Sequence, residues 1–238
     1  MRAKSKVDIA MILAAGRGER LKPFTNYIPK AMCMVHNKPL IAYHVANLAA
    51  SGFKRIIVNH AYLGGGIRHY LGNGNKWGIE ICYTPEPPGA LETGGGIYNA
   101  LPLLGSEPFI IVNADIFTDF KFNQLTLTKL SNKAMVNLIL INNVNAKKDF
   151  GLTDNGTLTR KKLFTFAGIA CYHPRLFRQC KPGRYSVIPI LNNLISKKLA
   201  TGELHDGIWF DVGSEQGRHI MDHHNDIPHQ GMFFDYNR

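Results

Sequence analysis

The chain has 238 residues, of which 45% are hydrophobic, and this composition fits one soluble globular domain with one core. No apolar stretch approaches the roughly 20 residues that a membrane-spanning helix needs, so a membrane partner is not expected. The formal net charge is +11, but the basic residues are scattered and accompany no nucleic-acid-binding module. We therefore expect no nucleic acid partner, and the charge suits anionic small substrates.

Short apolar segments alternate with helical patterns along the chain. Strands are predicted at 7–13, 55–59, 79–83, 109–113, 135–141, 167–172 and 207–211. Helices are predicted at 40–51, 66–71, 95–103, 123–130, 186–199 and 215–225. This alternation predicts an α/β fold with a mostly parallel sheet covered by helices on both faces. We expect one domain over residues 1–228 and a tail at 229–238, with ligands bound at the carboxyl ends of the strands.

The segment LAAGRGERLKPFTNYIPK, residues 13–30, follows the first predicted strand and is typical of a phosphate-binding loop. Gly16 and Gly18 let the backbone approach a ligand closely because they have no Cβ atom. Arg20 and Lys30 add two cations, so the segment can cradle a polyphosphate. The further glycine that a dinucleotide fingerprint or a P-loop requires is absent, which excludes both of those motifs.

The N-terminus combines basic residues with an apolar run, a pattern that signal peptides share. Its removal would destroy the phosphate-binding loop, so we expect the segment to be retained and the protein to be cytoplasmic. The four cysteines form no C-x-x-C pair, which agrees with reduced thiols in that compartment.

The phosphate-binding loop resembles the signature of the sugar-phosphate nucleotidyltransferases, in which G-x-G-x-R is followed by P-K. These enzymes join a nucleoside triphosphate to a sugar 1-phosphate and release pyrophosphate. The resemblance continues in the family's order through NKPLIAYHVANLAASG, IIVNHAYLG, PEPPGALETGGGIYNALPLL, FIIVNADIFTDF, FTFAGIACYHP and GIWFDVGS. It implies an enzyme with a Rossmann-like three-layer sandwich, of the nucleotide-diphospho-sugar transferase type, around a mostly parallel, mixed sheet. A monomer or small homo-oligomer is expected.

Within the family, the resemblance is strongest to uridylyltransferases, which implies UTP and a muramic sugar 1-phosphate as substrates. The alternative in the same class is a guanylyltransferase that uses GTP and mannose 1-phosphate. An alternative of another class is a non-catalytic regulatory relative that only binds nucleotide. Such a relative is expected to lack one or more of four charged residues, and all four are present: Arg20, Lys30, Asp115 and Asp211.

The resemblance also implies roles for individual residues. Arg20 and Lys30 are expected to be catalytic, and Asp115 and Asp211 are expected to hold Mg²⁺, although each could instead cap the turn after its strand. Asp119 is expected to be structural. The base is expected to bind along the loop 86–95, whose glycines could otherwise serve only as a flexible helix start. The expected nucleotide-binding residues are Leu13, Ala14, Ala15, Gly16, Gly18, Arg20, Lys30, Glu86, Glu92, Thr93 and Gly94.

The sugar phosphate is expected to contact Asn113, Gly151, Phe166 and Gly168. Many relatives carry a Glu-Lys-Pro segment in this region, and its absence here could leave room for a bulkier sugar. Three further groups keep structural interpretations. Arg160, Lys161 and Lys162 are expected to form a solvated hairpin face, with phosphate contact as the alternative. Asn59 and His60 are expected to be a hydrogen-bonded strand end. His219, His223 and His224 are expected to lie on a solvated helix face.

Overall fold

The computed structural model describes residues 7–35, 37–125, 134–144 and 146–213, and within them a mixed sheet of eight strands forms the centre. In chain order these strands are β1 (Ile9–Leu13), β4 (Arg55–His60), β5 (Glu80–Pro85), β6 (Phe109–Asn113), β8 (Val136–Ile141), β9 (Phe150–Leu152), β10 (Leu158–Tyr172) and β11 (Ala200–Leu204). They lie in the order β11, β8, β10, β6, β1, β4, β5, with β9 paired to β10. The pairs β1–β4, β1–β6, β4–β5 and β8–β11 are parallel, whereas β10 is antiparallel to its neighbours β6, β8 and β9.

Helices cover both faces of this sheet. They are α1 (Leu40–Ala50), α2 (Gly64–Leu71), α3 (Glu92–Leu104) and α4 (Ile188–Ser196). α1 and α2 pack into one hydrophobic core, and α3 and α4 pack into a second. In β1, Ala10 and Ile12 enter the first core and Met11 enters the second. The predicted three-layer sandwich is therefore confirmed, and burial on both faces explains why the central strands are continuous apolar runs.

Two short antiparallel pairs stand outside the central sheet. β2 (Met34–Val35) pairs with β3 (Lys38–Pro39), just before α1. β7 (Ile116–Thr118) pairs with β12 (Trp209–Asp211), and we call this second pair the ribbon. The Trp209 indole N–H donates to the Ala167 carbonyl oxygen at 2.8 Å, which ties the ribbon to β10.

Two predictions of elements differ from the structure. The predicted strand at 167–172 is the second half of the 15-residue strand β10, whose first half carries exposed basic residues that hide the strand pattern. The predicted helix at 123–130 is wrong at its start, where Phe122–Gln124 forms a 3-10 turn, and residues 126–133 lie outside the described part of the chain. The predicted helix at 215–225, the three histidines within it and the tail at 229–238 also lie outside the described residues. In the described segments, every helix is too short or too polar to cross a membrane.

Candidate active site

A cleft of about 210 Å³ opens at the carboxyl ends of β1, β4 and β6, where ligands bind in sheets of this kind. The start of α3 contributes to its lining. The lining residues are Leu13, Ala14, Ala15, Gly16, Lys30, Ala31, Asn59, Glu86, Ala90, Glu92, Thr93, Asn113, Ala114 and Asp115.

The phosphate-binding loop is held in shape by its own side chains. Gly18 has a positive φ of 71°, and a Cβ there would lie 2.8 Å from Thr25 Cγ2 and 3.1 Å from Lys30 Cβ. The Thr25 hydroxyl donates to the Gly18 carbonyl oxygen at 2.8 Å. Arg17 donates to the Thr25 carbonyl oxygen at 2.5 Å, and its guanidinium stacks 3.8 Å from the Tyr62 ring centroid. Arg17 therefore supports the loop, and Gly18 is the residue that lets the loop close onto Lys30.

Two cations and two carboxylates meet at one end of the cleft. Lys30 Nζ is paired with Asp115 Oδ2, and the lysine side chain is only 13% exposed. Arg20 Nη2 lies 3.6 Å from Asp211 Oδ2 at a more exposed position. The backbone N–H of Gly213 donates to Asp211 Oδ1 at 2.9 Å. A Cβ on Gly213 would overlap the Lys30 ammonium and lie 2.7 Å from Asp211 Oδ1, so Lys30 lies close to both carboxylates.

The ribbon explains how two acids that are far apart in the sequence meet. Asp115 lies in the short link between β6 and β7, and Asp211 is the last residue of β12. In the antiparallel pairing, Asp211 is opposite Ile116, the residue that follows Asp115. Asp119 follows the end of β7, and its Oδ1 forms a hydrogen bond with His205 Nε2 at 2.9 Å. This bond agrees with a structural role for the Asp119 carboxylate.

The donor set at this end of the cleft fits Mg²⁺. The described residues include no group of three or more His, Cys, Asp or Glu side chains that could hold a metal ion by themselves. Mg²⁺ typically takes one or two carboxylates and fills its other positions with water and with phosphate oxygens of a substrate. Asp115 and Asp211 can supply those carboxylates, whereas a metal cage made only of protein ligands does not fit.

A buried histidine lies under Asp115. His44, on α1, is 3% exposed, and its Nε2 has no hydrogen-bond partner within the described residues. Burial lowers the pKa of His44 to about 4, although a hydrogen bond to the Ile116 backbone and the charge of Asp115 act in the opposite direction. His44 is therefore neutral at neutral pH and adds no charge to the cluster above it.

A buried polar network joins the phosphate-binding loop to the loop before α3. The backbone N–H of Ala14 donates to Asn59 Oδ1 at 2.7 Å, and Asn59 Nδ2 donates to Glu86 Oε1 at 2.6 Å. The N–H of Leu91 donates to Glu86 Oε2 at 2.7 Å, and the N–H of Glu86 donates to the His60 carbonyl oxygen at 2.8 Å. Both oxygens of the Glu86 carboxylate are thus engaged by protein donors.

The three glycines at the start of α3 are required by close packing. A Cβ on Gly94 would lie 2.6 Å from the Tyr185 ring, and one on Gly96 would lie 2.6 Å from Glu86 Oε1. The N–H of Gly95 donates to the Tyr185 carbonyl oxygen at 3.1 Å, and a Cβ on Gly95 would overlap the Gly183 backbone. These contacts fix the start of the helix, so the glycines are not merely a flexible helix start.

The residues predicted to bind the sugar fall into two groups. Asn113 lines the cleft, and a Cβ on Gly168, which has a φ of 76°, would lie 2.8 Å from Asn113 Nδ2. Gly151, on β9, packs against Thr159 and Lys161 instead. Phe166, on β10, is half-buried, and its N–H donates to Asp149 Oδ2 at 3.0 Å.

The basic run on β10 faces solvent. Arg160, Lys161 and Lys162 are all exposed, and Arg160 Nη2 donates to the Asn192 carbonyl oxygen at 3.1 Å. This arrangement agrees with the solvated hairpin face.

The cleft brings together most, but not all, of the predicted site residues. Those in its lining are Leu13, Ala14, Ala15, Gly16, Lys30, Glu86, Glu92, Thr93, Asn113 and Asp115. Arg20 and Asp211 join the charged end through their ion pair. Gly18 packs against Lys30 and Gly94 packs against Tyr185, and neither glycine lines the cleft. Sequence reasoning gave Asn59 only a structural interpretation, although it lines the cleft. Its position at the end of a buried apolar strand was the available signal, because a polar strand end at this sheet edge faces the ligand site.

A mixed, mostly parallel sheet with a glycine-rich loop and a charged cluster at its carboxyl edge defines a nucleotide-handling α/β protein. Residues 9–166 match the Nucleotidyl transferase family, so the chain belongs to that family and is a nucleotidyltransferase. It is 40% identical over 214 residues to an N-acetylmuramate alpha-1-phosphate uridylyltransferase of Neisseria meningitidis, covering 86% of this chain and 93% of the relative. A protein of the same name from Caulobacter vibrioides is 30% identical over 229 residues, covering 88% and 93%.

Solved structures share the fold of this chain. A solved UDP-glucose pyrophosphorylase, complexed with UDP-glucose, superposes with a TM-score of 0.76 over 91% of this chain and 97% of its own, at 19% identity. At that identity, the likeness supports the fold alone.

Proposed function

We propose that the chain transfers a uridylyl group from UTP to N-acetylmuramic acid α-1-phosphate, giving UDP-N-acetylmuramic acid and pyrophosphate. The observation that carries this proposal is the match to the Neisseria meningitidis uridylyltransferase over 93% of that protein's length. The cleft supports it, because a glycine-rich loop, two cations and two carboxylates converge there. Such a reaction would serve cell-wall recycling in the cytoplasm, where nucleoside triphosphates are available.

The chemistry needs little covalent help from the protein. The second pKa of a phosphomonoester is about 6, so the sugar phosphate is largely a dianion at neutral pH. One of its oxygens attacks the α-phosphorus of UTP, and the bond from that phosphorus to the bridging oxygen breaks. Pyrophosphate leaves, and no proton has to be removed from the nucleophile. The enzyme's task is to bring two anions together in line and to stabilise the charge.

Lys30 and Arg20 would perform that task. Lys30 is largely buried, so water screens its charge poorly and its interaction with phosphate oxygens is strong. We assign Lys30 to the α-phosphate and the incoming sugar phosphate. Arg20 is more exposed and is assigned to the rest of the triphosphate. The ion pairs with Asp115 and Asp211 keep both cations directed at this end of the cleft before substrate binds.

Asp115 and Asp211 would hold a Mg²⁺ ion. Bound there with phosphate oxygens, Mg²⁺ would neutralise negative charge on the phosphates. The backbone near Gly16 and Gly18 would cradle the triphosphate, and the backbone at the start of α3 would read the uracil. Backbone groups suit base reading because they are fixed in space and lose no rotamer entropy on binding.

The sugar would lie toward Asn113 and Gly168, with Gly151 and Phe166 in the surrounding strands. A muramic sugar carries a lactyl ether with a carboxylate, which adds bulk and one negative charge. The absence of a Glu-Lys-Pro segment relieves the bulk, and the basic protein tolerates the charge. A charge-assisted hydrogen bond to this carboxylate is worth ~1.5–3 kcal/mol. We therefore expect about a tenfold to a hundredfold preference over N-acetylglucosamine 1-phosphate.

The test is pyrophosphate release with four nucleoside triphosphates against a panel of sugar 1-phosphates. The expected result is the highest kcat/KM for UTP with N-acetylmuramic acid α-1-phosphate. Equal values for the muramic and glucosamine sugars would contradict the sugar assignment. A preference for GTP and mannose 1-phosphate would support the guanylyltransferase alternative instead.

A further inference from the structure

Asn59 and Glu86 form a buried pair that touches both loops of the proposed nucleotide site. Asn59 is 3% exposed and Glu86 is 9% exposed. On one side, Asn59 accepts the N–H of Ala14 from the phosphate-binding loop at 2.7 Å. On the other side, Glu86 accepts the N–H of Leu91, the residue before α3, at 2.7 Å. The bond of 2.6 Å between the two side chains closes a continuous connection between the loops.

The hydrogen bonds that join the two loops can run in only one direction. A backbone N–H can only donate, so Asn59 must present its oxygen to Ala14 and its NH₂ group to Glu86. Glu86 must then accept from Asn59 with one oxygen and from Leu91 with the other, which an ionised carboxylate can do. The hydrogen bond between the two side chains can therefore reverse its direction only if the amide and the carboxylate exchange places, which takes two substitutions.

Helix α3 keeps the pair from moving aside. A Cβ on Gly96 would lie 2.6 Å from Glu86 Oε1 and 3.0 Å from Asn59 Nδ2, so the helix backbone passes close over both side chains. A displaced pair would lose its hydrogen bonds in a buried site, where water cannot easily replace them.

We propose that Asn59 and Glu86 are positioning residues that hold the phosphate-binding loop and the start of α3 at a fixed separation. Glu86 acts through Leu91 and Asn59, and the nucleotide is bound by the loops that the pair holds. This inference rests on the proposed nucleotide site.

The test compares the native chain with Asn59→Asp, Glu86→Gln and the double variant. Asn59→Asp sets two carboxylates against each other, and Glu86→Gln sets two NH₂ groups against each other. In the double variant the carboxylate and the amide exchange places: the new carboxylate accepts from Ala14 and from the new amide, whose oxygen accepts from Leu91. The net charge is unchanged.

Binding of UTP with Mg²⁺ is measured by calorimetry without sugar, and thermal unfolding is measured in parallel. Each single substitution should weaken UTP binding at least tenfold, about 1.4 kcal/mol. The double variant should return to within about threefold of the native chain, because its hydrogen bonds are again complementary.

Two results would overturn the inference. Single variants that unfold at lower temperature but bind UTP like the native chain would give the pair a structural role only. Losses of UTP affinity that add up in the double variant would show that the donor–acceptor match between residues 59 and 86 does not matter. If a single variant does not fold, Gly96→Ala provides a second test of the inference. Its Cβ should displace the Asn59–Glu86 pair and weaken UTP binding at least tenfold. A native chain that binds another nucleoside triphosphate better than UTP contradicts the proposed substrate alone, and the comparison is then made with that nucleotide.

Discussion

Replacement of Lys30 by methionine removes one charge from the cleft and keeps most of the side-chain volume. The Lys30 side chain is 13% exposed and its ammonium lies close to both carboxylates, so an effective dielectric constant of about 20 is appropriate. A unit charge about 4 Å away then contributes ~4 kcal/mol, and each 1.36 kcal/mol corresponds to a factor of ten in rate. Charge stabilisation that is stronger in the transition state than in bound substrate should therefore give a loss in kcat of ~10²–10³.

The assay is pyrophosphate release at saturating UTP and sugar phosphate, with kcat and KM determined separately. Lys22→Met is the matched control, because Lys22 is exposed and paired with Glu19 away from the cleft lining. It should keep kcat within about twofold of the native chain, as expected for an exposed ion pair. A Lys30→Met variant with native kcat and only a raised KM would refute the reasoning, since Lys30 would then contribute equally to ground-state and transition-state binding.

Three further predictions concern the metal, the acid limit of stability and the glycine-rich loop. Asp115→Asn and Asp211→Asn should each lower turnover by at least ~10² and raise the Mg²⁺ concentration needed for pyrophosphate release, and full activity under chelation would exclude a metal role. The pKa of His44 is about 4 in the folded chain against 6.5 when unfolded, so the unfolded state binds more protons and stability is lost as pH falls from 6.5 to about 4. The free energy of unfolding, measured by denaturant titrations with EDTA, should fall by roughly 3 kcal/mol over this pH range. In His44→Asn the free energy of unfolding should depend less on pH, and an unchanged pH dependence would contradict the buried neutral state of His44. Gly18→Ala should raise KM for UTP about tenfold through strain and contact with the Lys30 side chain, whereas Gly156→Ala, at a similar φ of 78° outside the cleft lining, should leave KM unchanged.

Local patterns were sufficient to predict most of the fold. Apolar runs such as 55–59 and 109–113 are buried on both faces of the sheet, and this burial makes them visible in the sequence. The first half of β10 was missed because its side chains are exposed, and its pairing with β9 is a tertiary contact that no local period encodes. The ribbon was missed for a different reason: β7 is buried but has only three residues, and its pairing with the strand predicted at 207–211 is a tertiary contact.

The candidate site was predicted less evenly than the fold. The phosphate-binding loop carries its signal in consecutive residues, so Gly16 and Lys30 could be identified directly. The proximity of Asp115 and Asp211 required a resemblance to a family, because their meeting depends on the register of β7 and β12. The role of Asn59 depends on its three partners, the Ala14 backbone, Glu86 and the overlying helix, and a single sequence cannot show such partners together.

The ribbon affects the order in which the folding protein gains nucleotide binding and turnover. The groups that would grip the nucleotide lie between residues 13 and 94, in segments that follow the parallel strands β1, β4 and β5, and β4 pairs with both of the others. The second acid reaches the first only when residues 209–211 dock beside β7, and closing so long a loop costs entropy before any contact is gained. During refolding, nucleotide binding should therefore be regained before turnover. A growing chain would hold its nucleotide loops in place while it still lacked one of the two acids proposed to bind Mg²⁺.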